Sequence, residues 1–287
     1  MKKLVILIAA VICTHLAPAQ QGRVYDNLSM QSKILGMERR YAVYLPPDYE
    51  SSERSYPVLY LLHGSGDDQS GWIQFGEVLR IADKAILEGS ATAMIIVMPD
   101  ANTGRKGYFN DPHGDWRYED FFFEEFMPYV EKKYRIRAEK RYRAVAGLSM
   151  GGGGAFMYAL HHPELFSSAC PLSASCGPLS LEEYEESLKR RGIGDLTTEQ
   201  RETWFREHSA LYLVNEMPAE ELRSVRWYID CGDDDHLSEC NSLIHITMMK
   251  KEIPHEFRIR DGGHTWTYWR DSLPEVLSFI SDHFHQH

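Results

Sequence analysis

Short, continuous apolar runs alternate with longer stretches of helical periodicity along most of this chain. A run that is apolar throughout is typical of a strand buried on both faces, as in a parallel sheet covered by helices. The predicted strands are Tyr41–Leu45, Val58–Leu62, Ala93–Met98, Tyr142–Ala146, Arg226–Cys231 and Glu256–Arg260. The predicted helices are Phe75–Leu87, Glu119–Tyr134, Gly151–His162, His236–Lys250 and Ser272–Phe284. We therefore expect an α/β fold with a mainly parallel central sheet flanked by helices.

The length of 287 residues fits one large domain, which we expect over residues 20–287. Within it, residues 178–218 are highly charged and contain two helical patches, Leu181–Arg190 and Thr198–His208, but no obvious strand. This segment is either a cap-like insertion over the edge of the sheet or an ordinary crossover with surface helices. The formal net charge of −11 and the absence of a basic face argue against a nucleic-acid partner.

The first residues have the pattern of an export signal over residues 1–19. Lys2 and Lys3 precede an apolar run that is too short to span a bilayer, and small residues follow near Ala19. We therefore expect a periplasmic or extracellular protein without a transmembrane segment. The residues before Cys13 lack the small side chain expected next to a lipidated cysteine, so we do not expect an anchor there.

Four cysteines remain after the predicted signal: Cys170, Cys176, Cys231 and Cys240. In an exported chain, the short spacings would allow Cys170 to pair with Cys176 and Cys231 with Cys240. The alternative is that all four are small buried hydrophobic residues. Because no CxxC pair occurs, they do not form a zinc-binding set.

The strongest signal for chemistry is Gly147-Leu148-Ser149-Met150-Gly151, which lies between a predicted strand and a predicted helix. A tight turn in this position projects a serine hydroxyl above the sheet, and the glycines let backbone segments pass closely. A capping serine at a glycine-rich helix start is the alternative. Because the strand and helix context favours a nucleophile, we predict that role for Ser149.

A glycine-rich loop, His63-Gly64-Ser65-Gly66, directly follows the predicted strand Val58–Leu62. Acyl transfer needs backbone N–H groups aimed at the developing oxyanion. In such folds one comes from the residue after the nucleophile, here Met150, and one from an early loop, here Ser65. The simpler alternative is a turn formed by the glycines and the aspartates that follow them.

In α/β enzymes whose serine nucleophile lies in a turn between a strand and a helix, the catalytic residues follow one another along the chain in the order nucleophile, acid, base. Asp233, Asp234 and Asp235 follow a predicted strand, and His264 follows the last strand after two glycines. We predict His264 as the general base, with His113 and His236 as the competing histidines. The residue types alone leave the choice among the three aspartates open.

The chain resembles the esterase D and feruloyl-esterase group of α/β-hydrolases, which includes carbohydrate esterases and S-formylglutathione hydrolases. The similarity runs from about Tyr41 to the C-terminus. It rests on five motifs: Val58-Leu59-Tyr60-Leu61-Leu62-His63-Gly64, Pro99-Asp100, Gly147-Leu148-Ser149-Met150-Gly151-Gly152, His162-Pro163-Glu164-Leu165-Phe166 and Gly263-His264-Thr265-Trp266. The family pattern places the acid three residues after the glycine that ends its strand, which implies Asp235. It also implies Ser65 and Met150 as oxyanion donors, although several relatives carry an apolar residue where Ser65 stands.

The resemblance and the export signal together favour feruloyl or acetyl esters of plant cell-wall polysaccharides as substrates. Aromatic residues after a strand end and beside His264, namely Tyr108, Trp116 and Trp266, are candidate substrate contacts. No metal or organic cofactor is required by a serine mechanism. Two alternatives remain: an acyltransferase of the same fold, and a carbohydrate-binding module without catalytic activity. The oligomeric state is not encoded in any motif.

Overall fold

An eight-stranded sheet forms the centre of the molecule. The computed structural model describes residues 21–102, 104 and 107–284, so the predicted signal with Cys13 lies outside the described residues. The strands are β1 (Arg23–Ser32), β2 (Met37–Leu45), β3 (Val58–Leu62), β4 (Ile95–Pro99), β5 (Arg143–Leu148), β6 (Ser168–Leu172), β7 (Arg226–Gly232) and β8 (His255–Arg260). Their order is β1-β2-β4-β3-β5-β6-β7-β8, with β2 antiparallel to both neighbours and every other pairing parallel. The expected mainly parallel sheet is confirmed, and the fold is that of the α/β-hydrolases.

All six predicted strands are present, but the sequence pattern missed β1 and β6. The alternation in β1 is interrupted by an irregularity in register between Tyr25 and Leu28. Strand β6 contains Pro171, a residue that normally argues against a central strand because it lacks an N–H group. The pairing of β6 with β7 skips from Ala169 to Leu172, next to this proline.

Eleven α-helical segments are present in the described residues, and they cover both faces of the sheet. They are α1 (Gly71–Gln74), α2 (Val78–Leu87), α3 (Tyr118–Asp120), α4 (Met127–Lys133), α5 (Met150–His161), α6 (Leu181–Arg190), α7 (Thr198–His208), α8 (Ala210–Glu216), α9 (Ala219–Arg223), α10 (Ser238–Lys250) and α11 (Trp266–Phe284). A π-helical segment, Phe121–Phe126, joins α3 to α4, and a 3₁₀ turn, Lys140–Tyr142, precedes β5. None of these helices combines the length and apolar character that crossing a membrane requires.

Two helix predictions were wrong at their starts. The predicted helix Phe75–Leu87 is broken, because Glu77 has a left-handed backbone conformation (φ 53°) and α2 begins only at Val78. The last helix begins at Trp266 rather than Ser272, so Pro274 lies inside it and not in its first turn. A proline in the first turn is common but not obligatory, and tertiary packing of the preceding turn extended this helix.

The central strands separate two hydrophobic cores. Alternate residues of β3 point to opposite faces: Tyr60 belongs to the core that includes residues of α5 and α10, and Leu61 belongs to the core that includes residues of α2 and α11. Every residue of β3 is fully buried. This two-sided burial explains why the strand is apolar throughout.

Residues 178–218 contain the two predicted helices with the predicted bounds, together with α8. Ser180 and Thr197 cap α6 and α7, the latter in a capping box with Gln200. Helix α8 packs against α5 and α10. The choice between a cap and a surface crossover stays open, although none of these residues lines the cavity beside Ser149.

The disulfide pairing that the short spacings allowed was wrong. Cys176 is bonded to Cys240, 64 residues further along the chain, and Cys170 and Cys231 are free and buried. The parallel sheet brings the segment after β6 beside the first turn of α10. Proximity along the chain therefore did not determine the partner.

Candidate active site

Ser149 occupies the turn between β5 and α5, with a backbone conformation that only strong local constraints maintain. Its φ is 54° and its ψ is −115°, a strained combination for a residue with a side chain. Its N–H donates to Leu172 O of β6, and its carbonyl accepts from the N–H groups of Gly153 and Ser175. These three hydrogen bonds maintain the strained turn, and the turn places the Ser149 hydroxyl at the C-terminal edge of the sheet.

The flanking glycines are required by close backbone contacts. A Cβ on Gly151 would lie 2.5 Å from Leu62 O and 2.6 Å from His63 O. A Cβ on Gly147 would lie 2.4 Å from Gly151 O. Because these neighbours are backbone atoms, they cannot move aside as a side chain would. The spacing of the two glycines around Ser149 is therefore a packing requirement of this turn.

A continuous chain of hydrogen bonds joins the three residues that the sequence singled out. His264 Nε2 is 2.8 Å from Ser149 Oγ, and His264 Nδ1 is 2.9 Å from Asp235 Oδ2. The imidazole lies between a hydroxyl from the end of β5 and a carboxylate from the end of β7. Such an arrangement can take a proton from the serine and stabilise the resulting imidazolium.

Asp235 is the buried member of the aspartate triplet. It is 3% exposed, whereas Asp233 and Asp234 face solvent. Burial raises the pKa of Asp235, but hydrogen bonds from the Leu237 N–H, the Ser173 hydroxyl and His264 together bring it below its ordinary value. The carboxylate is therefore held in its charged form, which a histidine partner requires.

The two competing histidines do not contact Ser149 in this structure. His113 bonds Asp111 and Asp195 on the surface. His236 lies on the outer side of the site, where its ring is mostly exposed. Of the three histidine candidates, His264 alone bridges a hydroxyl and a carboxylate.

The loop after β3 lies against the serine. Gly64, Ser65 and Gly66 line the same cavity as Ser149, and Met150 begins helix α5 directly after it. Among the described residues, neither the Ser65 amide nor the Met150 amide donates to another part of the protein. The role of these two amides as oxyanion donors stays a prediction.

His63 and Tyr108 hold this loop in place, a role that the sequence pattern did not reveal. His63 Nδ1 lies 2.8 Å from Gly64 O, and the Ala101 N–H donates to His63 Nε2 across 2.9 Å. Burial lowers the pKa of His63, so the ring stays neutral and bridges the loop to the end of β4. The Tyr108 hydroxyl donates to His63 O at 3.0 Å. Tyr108 is fully buried, so its predicted contact with substrate was wrong.

The cavity beside Ser149 has a volume of about 290 Å³. Trp266 and Trp269 form an aromatic wall next to His264, and Asp67 lies on the loop side. The Trp269 ring also packs edge-on against His264, with centroids 4.9 Å apart. Trp116 packs against the core away from this cavity. Of the three aromatic candidates, Trp266 is the one that the structure places at the site.

A serine, a histidine and a carboxylate joined in this way at the strand ends of a parallel sheet define a serine hydrolase of the α/β-hydrolase fold. The family model described as putative esterase matches residues 32–280 of the chain. A solved ferulic acid esterase is 37% identical, with a TM-score of 0.81 and coverage of 92% of this chain and 99% of that one. The chain therefore belongs to this esterase family.

Curated relatives, which the chain matches over 20% to 92% of their length, support the assignment to an esterase family. An esterase of Mycobacterium tuberculosis is 39% identical over 155 residues, which are 53% of this chain and 32% of that protein. An endo-1,4-beta-xylanase/feruloyl esterase of Xylanibacter ruminicola is 33% identical over 150 residues, 49% of this chain and 20% of the relative. The chain thus spans a third or less of these two proteins. An S-formylglutathione hydrolase of Bos taurus is 24% identical, with 92% of each chain covered.

Proposed function

We propose that this protein is a serine carboxylic-ester hydrolase with Ser149 as nucleophile, His264 as general base and Asp235 as the residue that orients the histidine. One observation supports this most strongly: the hydrogen bonds of 2.8 Å and 2.9 Å on the two nitrogens of His264. A histidine held on both sides in this way has the geometry that proton transfer from a serine needs.

In the proposed reaction, Ser149 Oγ attacks the ester carbonyl carbon while its proton moves to His264 Nε2. The carbonyl oxygen becomes negative and accepts hydrogen bonds from the Ser65 and Met150 amides. Collapse of this intermediate breaks the bond to the alcohol, which leaves with the proton from His264. Water then attacks the acyl-enzyme, His264 takes its proton, and the acid is released with Ser149 restored.

The acyl group that we propose is feruloyl or a related aromatic acid. The indole of Trp266 beside His264 offers an apolar face on which an aromatic acyl group can stack. The solved relative at 37% identity is named a ferulic acid esterase, and a curated relative combines a xylanase with a feruloyl esterase. These names support a polysaccharide-linked ester as substrate, and the N-terminal sequence supports export to reach it.

Acetyl esters are the second candidate substrate. An acetyl esterase of Caldicellulosiruptor saccharolyticus is 20% identical over 271 residues, 89% of this chain. The cavity beside Ser149 has a volume of about 290 Å³, which exceeds that of an acetyl group, so its size does not argue against acetyl esters.

Hydrolysis of methyl ferulate and of 4-nitrophenyl acetate by the purified protein tests the proposal, with Ser149→Ala as the paired variant. We expect turnover of methyl ferulate that disappears in Ser149→Ala while the variant stays folded. Turnover of the acetate alone would retain the serine mechanism and replace the aromatic substrate by acetyl esters. Undiminished turnover in the variant would refute Ser149 as the nucleophile.

A further inference from the structure

A second histidine lies next to Asp235 and takes no part in the proposed reaction. His236 Nδ1 is 3.5 Å from Asp235 Oδ1, and the His236 and His264 ring centroids are 4.6 Å apart. The side chain of His236 is 69% exposed, while that of Asp235 is fully buried. The carboxylate therefore has an imidazole near each oxygen, with His236 on the solvent side.

The spacing of these groups suits a tetrahedral metal ion. The ligand atoms of Asp235, His236 and His264 all lie within 4.8 Å of one another. Metal–ligand bonds of 2.0–2.1 Å separate the ligands of a tetrahedral zinc ion by roughly 3.3 Å. The two measured separations, 2.9 Å from His264 Nδ1 to Asp235 Oδ2 and 3.5 Å from His236 Nδ1 to Asp235 Oδ1, are close to that value and involve one carboxylate oxygen each.

The three ligand groups favour some metal ions over others. Two imidazoles and one carboxylate are ligands that Zn²⁺ and Cu²⁺ prefer, whereas Mg²⁺ and Ca²⁺ prefer oxygen ligands alone. Three protein ligands leave the fourth position of the ion to water. The exposed carboxylates of Asp233, Asp234 and Asp261, on the neighbouring loops, add a negative field that attracts cations to this side of the site.

We propose that Asp235, His236 and His264 form an inhibitory site for Zn²⁺ that uses the active-site histidine itself as a ligand. In the free protein, the Asp235 carboxylate can only accept a hydrogen bond, so we assign the ring proton of His264 to Nδ1, which donates to Asp235. When Nδ1 binds the ion, that proton moves to Nε2, so the imidazole stays neutral and no electron is transferred. A protonated Nε2 cannot accept the proton of Ser149, and hydrolysis stops while the ion is bound.

Inhibition of ester hydrolysis by ZnCl₂ in a non-chelating buffer tests the site. We expect inhibition that EDTA reverses and that MgCl₂ does not reproduce. His236→Asn should retain hydrolysis without zinc, and its half-inhibitory zinc concentration should rise at least about tenfold. The matched control is His245→Asn, which breaks another close histidine pair (His245 Nδ1 to His255 Nε2, 2.7 Å) at the N-terminal end of β8, whereas His264 follows the C-terminal end of that strand. Equal zinc sensitivity of the wild type and His236→Asn would overturn the proposal, as would relief by His245→Asn.

The effect on turnover rests on the proposed function, so a second measurement is needed that does not involve turnover. Isothermal titration of Ser149→Ala with ZnCl₂ should show one bound ion per chain, and adding His236→Asn to that variant should weaken binding by the same factor. If the wild type showed no esterase activity while zinc binding depended on His236, the site would be supported and the function refuted. Esterase activity with zinc binding that is independent of His236 would support the function and refute the site.

Discussion

Replacing Asp235 by asparagine is the sharpest test of how the carboxylate acts, because the structure fixes which way the new amide must face. Asp235 Oδ1 accepts the Leu237 N–H at 2.9 Å, and Oδ2 accepts His264 Nδ1 at 2.9 Å. In Asp235→Asn, the amide oxygen must take the place of Oδ1, because an NH₂ group there would face the Leu237 N–H, which is also a donor. The NH₂ group then faces His264, whose Nδ1 must become an acceptor.

This reversal moves the ring proton of His264 to Nε2, next to Ser149. A histidine in that tautomer cannot act as a base toward the serine. Loss of the correct tautomer in serine–histidine–aspartate sites lowers kcat by about 10⁴, which corresponds to roughly 5 kcal/mol in the activation free energy. We expect a loss of this size with little change in KM, because Asp235 does not contact the substrate in the proposed reaction.

Steady-state hydrolysis of 4-nitrophenyl acetate near neutral pH measures the effect, with Asp234→Asn as the control. Asp234 is the adjacent, exposed aspartate, so its variant removes the same formal charge without touching His264. We expect Asp234→Asn to stay within a few-fold of the wild type. If folded Asp235→Asn kept more than about a tenth of the wild-type kcat, the tautomer argument would be refuted.

Three further predictions concern stability. Gly151→Ala should lower the melting temperature, by the equivalent of about 2 kcal/mol or more, while Gly194→Ala, whose Cβ meets nothing within 4 Å, should not. A reductant should also lower the melting temperature, because the Cys176–Cys240 bridge across 64 residues is worth about 4 kcal/mol on chain-entropy grounds. Burial and then the charge of a neighbouring histidine lower the pKa of His208 to about 4. The unfolded chain therefore binds the proton first, and stability falls as the pH drops from about 6.5 towards 4. Chemical denaturation at about pH 7.5 and about pH 4.5 measures the free energy of unfolding at each pH. The decrease in this free energy on acidification should be smaller by about 2.5 kcal/mol in His208→Gln than in the wild type.

Each of the three stability predictions has a result that would contradict it. Equal melting temperatures for Gly151→Ala and Gly194→Ala would mean that the backbone of Leu62 and His63 can move away from a Cβ at position 151. A melting temperature that does not respond to reductant would count against the Cys176–Cys240 bond, and peptide mapping would then identify the true pairing. The same loss of stability on acidification in His208→Gln and the wild type would show that His208 is not the group that is protonated.

The nucleophile and its turn could be predicted because their requirements are local. Ser149 needs a strand before it, a helix after it and glycines on both sides, and all of these are visible in consecutive residues. The strand Val58–Leu62 was equally clear, since burial on both faces demands an unbroken apolar run. Local signals of this kind do not depend on the rest of the fold.

The acid and the disulfide depended on packing that no local pattern contains. Three adjacent aspartates have the same chemistry, and only the turn in which the Asp235 N–H donates to Gly232 O directs the third one inward. The resemblance to a family supplied that choice, and the residue types alone did not. Cys176 and Cys240 lie far apart in the chain and meet only once the sheet has formed.

The role of Tyr108 shows why an aromatic residue near a strand end is a weak sign of a binding site. Its position after β4 fitted a ligand contact as well as a packing role. In the structure its ring is buried, and its hydroxyl fixes His63, which in turn holds the loop of Ser65. Aromatic side chains with a polar tip serve both purposes, and only burial separates them.

The disulfide and the strained serine belong to one connected assembly. The positive φ of Ser149 costs about 1–3 kcal/mol and persists only because neighbouring bonds oppose its relaxation. One of these bonds comes from the Ser175 N–H, and Ser175 immediately precedes Cys176. Cys176 is bonded to Cys240 in the first turn of α10, the helix that follows the loop of Asp235. A single covalent bond therefore connects the segment that supports the nucleophile to the helix behind the acid. The long-range pairing that the sequence could not reveal is thus the one that links the two sides of the site.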